Sequence, residues 1–312
     1  MKHTNQFTLA SPAAVSGIGV HSGDSVRMVI HPADADHGVV FLRTGLPSGI
    51  DRLIDARHVN VAATELCTVV GDRDSGAVAT IEHLMAALAG LGVDNALVEV
   101  DGSELPILDG SAAPFVEAID AAGLVACDAP RRHLRVRRAV RAAAGRAFVE
   151  LAPHDGPLRL DVEIDFPNAV IGRQRRVCEL RPDVFRREVA RARTFGFMND
   201  VERLWKAGFA LGASLDNTVA VSDEAVVNPE GLRFADEFVR HKLLDAVGDL
   251  ALAGYPLLGA YRAYCGGHRL NFAVLEALFS DRANYEIVEA APRREAGVAA
   301  AVAARALGSS LG

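Results

Sequence analysis

The chain has 312 residues, half of them apolar and 23% charged, a composition that fits a globular protein of two domains and excludes disordered and fibrous classes. A formal charge of -7 leaves no basic field to collect a phosphate backbone, so nucleic acid is not an expected partner. Cys67, Cys127, Cys178 and Cys265 show neither CxxC nor paired spacing, which argues against a zinc ribbon or a disulfide framework and for a reducing compartment.

From the N-terminus, MKHTNQFTLASP lacks the apolar stretch of a signal peptide, and no apolar run reaches the roughly 18 residues that span a bilayer, so the cytoplasm is the expected location. SVRMVIHP and GVVFLR alternate as strands. TIEHLMAALAGLG then reads as a helix with Thr80 at its N-cap and Gly90 or Gly92 past its end, DNALVEVDG as a strand, and SAAPFVEAIDAAG as a helix capped by Ser111. CDAPRRHL, around Pro130, reads as a linker. The order then repeats: HLRVRRAV, AFVELAP and LRLDVEIDF alternate as strands, FADEFVRHKLLDAVGDLALAG is a helix stopped at Gly254-Tyr255-Pro256, LLGAYRAYCGG a strand and HRLNFAVLEALF a helix. The expected fold is therefore α+β, two similar domains from an internal duplication, over residues 1–128 and 129–290, each a small sheet packed with two helices. Residues 291–312 form an Ala-rich tail, expected as a surface helix or a frayed end.

Four segments carry candidate chemistry. His241, Asp245 and Asp249 are spaced i, i+4, i+8 and share one helix face with Gly248 and Leu252, which points that face inward. A buried histidine with two carboxylates calls for a cation, and imidazole with carboxylate suits zinc; a surface helix with His–Asp pairs would show the same spacing. Glu82 and His83 stand in the first turn of their helix, where a carboxylate stays ionised as a general base must, and their side chains point about 100° apart. An acidic first turn beside a core histidine reads the same way. HExxH is absent, since Ala87 stands four residues after His83, which disfavours a zincin protease. His268, after two glycines, is either an acid or base exposed by its loop or a capping surface histidine. Thr194, before Phe195-Gly196-Phe197, is either a donor to an oxyanion or an ordinary strand residue. Of 33 basic residues only Lys2, Lys206 and Lys242 are lysine, so Lys242 beside His241 asks for a reason that arginine would not meet.

TIEHLMAALAGLGVDN, LDGSAAPFVEAI, RARTFGFMNDVE, GASLDNTVAV, GLRFADEFVRHKLLDAVGDLALAG and GGHRLN together resemble the UDP-3-O-acyl-N-acetylglucosamine deacetylase family, the zinc enzymes of lipid A synthesis in Gram-negative bacteria, in order and spacing over residues 5–288. The resemblance implies two α+β domains, each with an insert, and an active site between them. It implies His83, His241 and Asp245 as ligands of zinc, or of ferrous iron, which accepts the same donors, with a fourth position open as in catalytic sites. Glu82 would be the general base and His268 the protonated partner oriented by Asp249, while Thr194 and Lys242 would lie near the developing oxyanion. Phe166 matches the position that stacks on uracil, and Phe195, Leu66 and Cys67 are further substrate-binding candidates. The insert bearing Phe197, Met198, Leu204, Trp205, Phe209 and Leu211 matches the passage for the acyl chain; an amphipathic core helix would give part of the same pattern. A UDP-linked acylated amino sugar is the expected partner and a monomer the expected form.

Four departures lie at the substrate periphery and none at the metal: Asp24 where a basic residue is common, Cys265 where a cation reaches the diphosphate, the short Pro167–Ile171 turn without a His-Pro pair, and Glu65 at a usually apolar place. Loss of two cations weakens diphosphate binding. The alternative is thus a paralogue that deacetylates a different N-acetylated sugar with weakened UDP recognition. A metal-binding scaffold without turnover is opposed by the presence of both Glu82 and His268.

Overall fold

Alternation of period two buries Val26, Met28 and Ile30 along one strand and Leu160, Val162 and Ile164 along another, and these strands build two sheets. The computed structural model describes residues 4–72 and 75–289, so the tail expected over 291–312 lies outside the described residues. The first sheet contains β1 (Ala13–Ile18), β2 (Ser25–Pro32), β3 (Val39–Arg43), β4 (Arg52–Asp55) and β5 (Ala96–Val100), in the order β1-β2-β5-β3-β4. The second contains β6 (Val140–Ala144), β7 (Ala147–Ala152), β8 (Arg159–Asp165), β9 (Arg173–Glu179) and β10 (Ala260–Tyr264), in the order β6-β7-β10-β8-β9. In each sheet the last strand runs parallel to the third and the other neighbours are antiparallel. One topology occurs twice, as the repeated order of segments predicts.

Each sheet has a helix before its last strand and another after it. These are α1 (Glu82–Leu91) and α2 (Ala113–Ala122) in the first half, α3 (Glu237–Ala251) and α4 (His268–Phe279) in the second. Gly92, at φ 82°, ends α1, since a left-handed residue closes a helix most cheaply as glycine. Thr80 is not the cap: it has φ 56°, Ile81 occupies the cap position, and the Thr80 hydroxyl donates to Glu104 Oε1 instead. Ser111 likewise lies one residue before the cap position of α2, although its Oγ accepts from the Ala113 N–H at 3.2 Å.

The expected linker is instead two strands. Leu124–Pro130 pairs with Asn5–Leu9, and Arg132–Val136 pairs with Tyr285–Glu289, so each half is closed by a ladder between its own first and last strands. Such pairings join residues more than a hundred positions apart, which local composition does not register. Each half also carries an insert. The first is a small sheet of Val61–Ala63, Val69–Asp72 and Gly76–Val78; the second pairs Phe195–Phe197 with Val219–Val221 in parallel and adds the short helix Val201–Lys206. That helix buries none of its six residues, so it is no core helix. The two halves meet through α1 and α3, whose Leu84, Leu88, Leu244 and Val247 belong to one buried apolar cluster.

Candidate active site

Where α1 meets α3, backbone touches backbone. A Cβ on Gly248 would collide with the carbonyl of Glu82, so only glycine lets the start of α1 lie against the middle of α3. The start of α1 is itself fixed from below. Glu104, 3% exposed, accepts from the Thr80 hydroxyl at 2.8 Å, from the His21 N–H at 3.0 Å and from the Ser22 N–H at 2.8 Å. Successive side chains then diverge: His83 points to His241 and Asp245, and Glu82 to Thr68 and His268.

His241, Asp245, Asp249 and Leu252 are all 2% exposed, so the surface-helix reading of α3 is excluded. Asp245 Oδ1 lies 3.3 Å from His241 Nε2 and 3.9 Å from His83 Nε2, and one donor atom from each of the three residues falls within 4.8 Å of the other two, close enough to share an ion. Asp245 Oδ2 accepts from Lys242 Nζ at 2.7 Å, while Oδ1 is buried and has no hydrogen-bond partner among the described residues. A carboxylate oxygen left bare in the interior costs free energy unless a cation takes it up. The imidazoles match that need. Burial, then neighbouring His241, pushes His83 down to about 3, and burial lowers His241, so both rings stay neutral as metal ligands must. His241 Nδ1 faces the Ala192 carbonyl at 3.1 Å, which directs Nε2 to the centre. Burial would raise the Asp245 carboxyl, yet with the rings neutral the Lys242 ammonium, 2.7 Å from Oδ2, still favours the carboxylate and holds it below the usual range. The donor set thus fits a divalent cation.

Beside this triad stands a second group. Glu82 Oε2 accepts from the Thr68 N–H at 3.1 Å, and Oε1 lies 3.8 Å from His268 Nε2. His268 opens α4, but its side chain is only 10% exposed and its Nδ1 donates to Asp249 Oδ2 at 2.8 Å. Neither a mobile loop histidine nor a surface cap describes it, because Asp249 holds it from another helix. Burial alone would lower its pKa; Asp249 and then Glu82 outweigh burial and raise it to about 9. Burial, for its part, raises Glu82 to about 7. Asn271 Nδ2 donates to Asp249 Oδ2 at 2.8 Å, and the Thr68 hydroxyl donates to Asp249 Oδ1 at 2.6 Å. Sequence reasoning missed Thr68, Asn271 and Glu104. Only Asn271 carried a signal, its i+3 spacing from His268.

The remaining candidates surround this centre. Lys242 Nζ lies 5.6 Å from the centroid of the Phe195 ring, which is itself 6.2 Å from that of His241. Thr194 precedes Phe195; its N–H donates to the Gly110 carbonyl at 2.8 Å, and its hydroxyl has no hydrogen-bond partner among the described residues. Phe166 packs its ring against both Phe195 and Phe197, with centroids 5.8 Å apart in each pair. Leu66 is exposed at φ 65°, whereas Cys67 is buried and burial pushes its thiol up to about 12, so it stays protonated. Met198, Trp205 and Leu211 on the second insert are exposed. Asp24 and Glu65 lie at the surface, and Cys265 lines an open cavity of about 280 Å³ with Thr64, Gly266, Gly267, His268 and Arg269.

Residues 6–280 match the family described as UDP-3-O-acyl N-acetylglycosamine deacetylase. Proteins named UDP-3-O-acyl-N-acetylglucosamine deacetylase from Brucella ovis, Brucella abortus and Brucella melitensis are each 50% identical over 287 residues, which cover 91% of this chain and 99% of theirs. Since the match spans both halves of the chain, the chain belongs to the UDP-3-O-acyl N-acetylglycosamine deacetylase family.

Proposed function

We propose that the chain removes the N-acetyl group of UDP-3-O-acyl-N-acetylglucosamine by hydrolysis, giving acetate and the free amine, with His83, His241 and Asp245 holding a divalent ion. The reading is carried by Asp245 Oδ1, a buried oxygen that has no hydrogen-bond partner among the described residues and faces two neutral imidazoles. Two imidazoles and one carboxylate are donors of a catalytic zinc site, and ferrous iron accepts them too. Such an ion supplies Lewis acidity, which polarises the acetyl carbonyl and acidifies a water molecule.

The protein's own groups move the protons. Glu82, oriented by the Thr68 N–H, takes the proton of the attacking water as its oxygen bonds to the acetyl carbon. His268, kept cationic by Asp249, offsets the negative charge of the tetrahedral stage and gives its Nε2 proton to the departing nitrogen as the C–N bond breaks. Lys242 adds a compact positive charge beside the centre, where a planar guanidinium would crowd the water. Thr194 contributes its hydroxyl to the oxyanion, and its N–H, bonded to the Gly110 carbonyl, fixes the residue's place. Phe166, Phe195, Leu66 and Cys67 form the substrate's walls, and the exposed apolar residues of the second insert guide its acyl chain.

The same reading takes the two halves as diverged copies acting together in a monomeric cytoplasmic enzyme. The strand pairings support a junction at Arg131 rather than directly after Asp128. Among the described residues, no helix is long and apolar enough to cross a membrane. Acetate release from UDP-3-O-acyl-N-acetylglucosamine, measured beside the same acylated sugar without UDP, tests the assignment. Turnover of the nucleotide sugar supports it; turnover of the UDP-free sugar alone replaces it with the paralogue reading, and turnover of neither removes it.

A further inference from the structure

Thr68 touches both ends of the proton path at once. It precedes the strand Val69–Asp72 of the first insert and is 2% exposed, so solvent does not compete for its bonds. Its N–H donates to Glu82 Oε2 at 3.1 Å, and its hydroxyl donates to Asp249 Oδ1 at 2.6 Å. The same hydroxyl oxygen lies 3.3 Å from His268 Nδ1, a second acceptor for the proton that Nδ1 gives to Asp249. Its carbonyl accepts from the Ile81 N–H at 3.4 Å, directly before α1. Glu82, Asp249 and His268 stand on three different helices, α1, α3 and α4; Thr68 bonds or faces all three.

We propose that Thr68 is a positioning residue for the hydrolysis: its backbone sets the Glu82 carboxylate, and its hydroxyl, acting through Asp249, sets the direction of the His268 ring. The inference rests on the function proposed above. Asp249 needs a donor on each oxygen to stay in one orientation. Oδ2 has His268 and Asn271; Oδ1 has Thr68. Without the hydroxyl, Oδ1 is left bare in a buried place, the carboxylate turns in search of a partner, and His268 turns with it. Misdirection of Nε2 is felt when the proton is delivered and hardly when substrate binds.

Thr68→Val keeps the shape and the N–H and deletes only the hydroxyl. With the metal-loaded enzyme, kcat should fall roughly 10- to 100-fold, the loss of one hydrogen bond to a charged group, with KM unchanged within about twofold. Thr68→Ser should regain most of the rate. In the background of Asp249→Asn, adding Thr68→Val should cost almost nothing, because the residues act as one unit. Should the valine variant not fold, Thr68→Ala, which adds no bulk, carries the same expectations. Wild-type kcat in the hydroxyl-free variant, serine and valine variants equally impaired, or full additivity with Asp249→Asn would each overturn the inference. Failure of the wild type to turn over the nucleotide sugar would instead overturn the function on which it rests.

Discussion

Gly248 and Glu82 lie in backbone contact, and through that contact the proposed base is delivered to the helix that bears two of the proposed metal ligands. Substitution at Gly248 is therefore a test of how the halves are held together. A methyl group must push the start of α1 away from α3, since the obstacle is backbone and not a flexible side chain. Gly248→Ala should cost about 1 to 3 kcal/mol of stability and separate His83 from Asp245. A lower melting temperature with less bound metal is the expected result; full metal content at wild-type stability would contradict the packing.

Glu82→Gln retains the volume and the contact with the Thr68 N–H but cannot take a proton. Rates should fall by roughly 10²- to 10⁴-fold, the usual contribution of a general base, while the metal content stays that of the wild type. A glutamine variant with near wild-type kcat would assign the base elsewhere.

His133 gives a prediction about stability rather than turnover. It lies on the strand Arg132–Val136, where burial, then Arg131 and Arg135, pushes it from 6.5 down to about 4. Between those values the unfolded chain holds the proton and the folded chain does not. This contribution to stability is thus complete above pH 6.5 and is lost as pH falls toward 4. His133→Gln should flatten the acid side of the melting-temperature profile in that window. Parallel profiles for wild type and variant would show that the histidine is not held neutral.

Parts of this molecule were open to reading from sequence, and the reasons are physical. His241, Asp245 and Asp249 could be grouped because helical periodicity is local, and the repeat of strand and helix signals exposed the duplication that the two sheets display. Roles depending on distant partners were hidden. His268 looks exposed until Asp249 is brought to it by α3, and Thr80 looks like a cap until Glu104 draws its hydroxyl away. Thr68 acts through one N–H and one hydroxyl on residues 14 and 181 positions further along, a relation that no spacing encodes.

Cys265 tests the periphery. It lines the cavity beside His268 together with Arg269, and its thiol offers at most a weak hydrogen bond where the family resemblance puts a cation. Cys265→Lys should tighten UDP roughly tenfold or more and lower KM with kcat nearly unchanged, since a contact to a distant diphosphate contributes equally to ground and transition states. Unchanged UDP affinity would mean that this cavity does not receive the diphosphate, or that another cation already serves it.

The central claim is that His83, His241 and Asp245 hold the ion on which hydrolysis depends. It is tested most directly by stripping the protein with a chelator and adding zinc back in measured amounts while acetate release from the nucleotide sugar is followed. Activity should be absent without metal and rise to a plateau at about one ion per chain, and Asp245→Ala should neither retain zinc nor recover activity. Hydrolysis that persists after the metal is removed, or an Asp245→Ala protein that binds zinc and turns over like the wild type, would contradict the account.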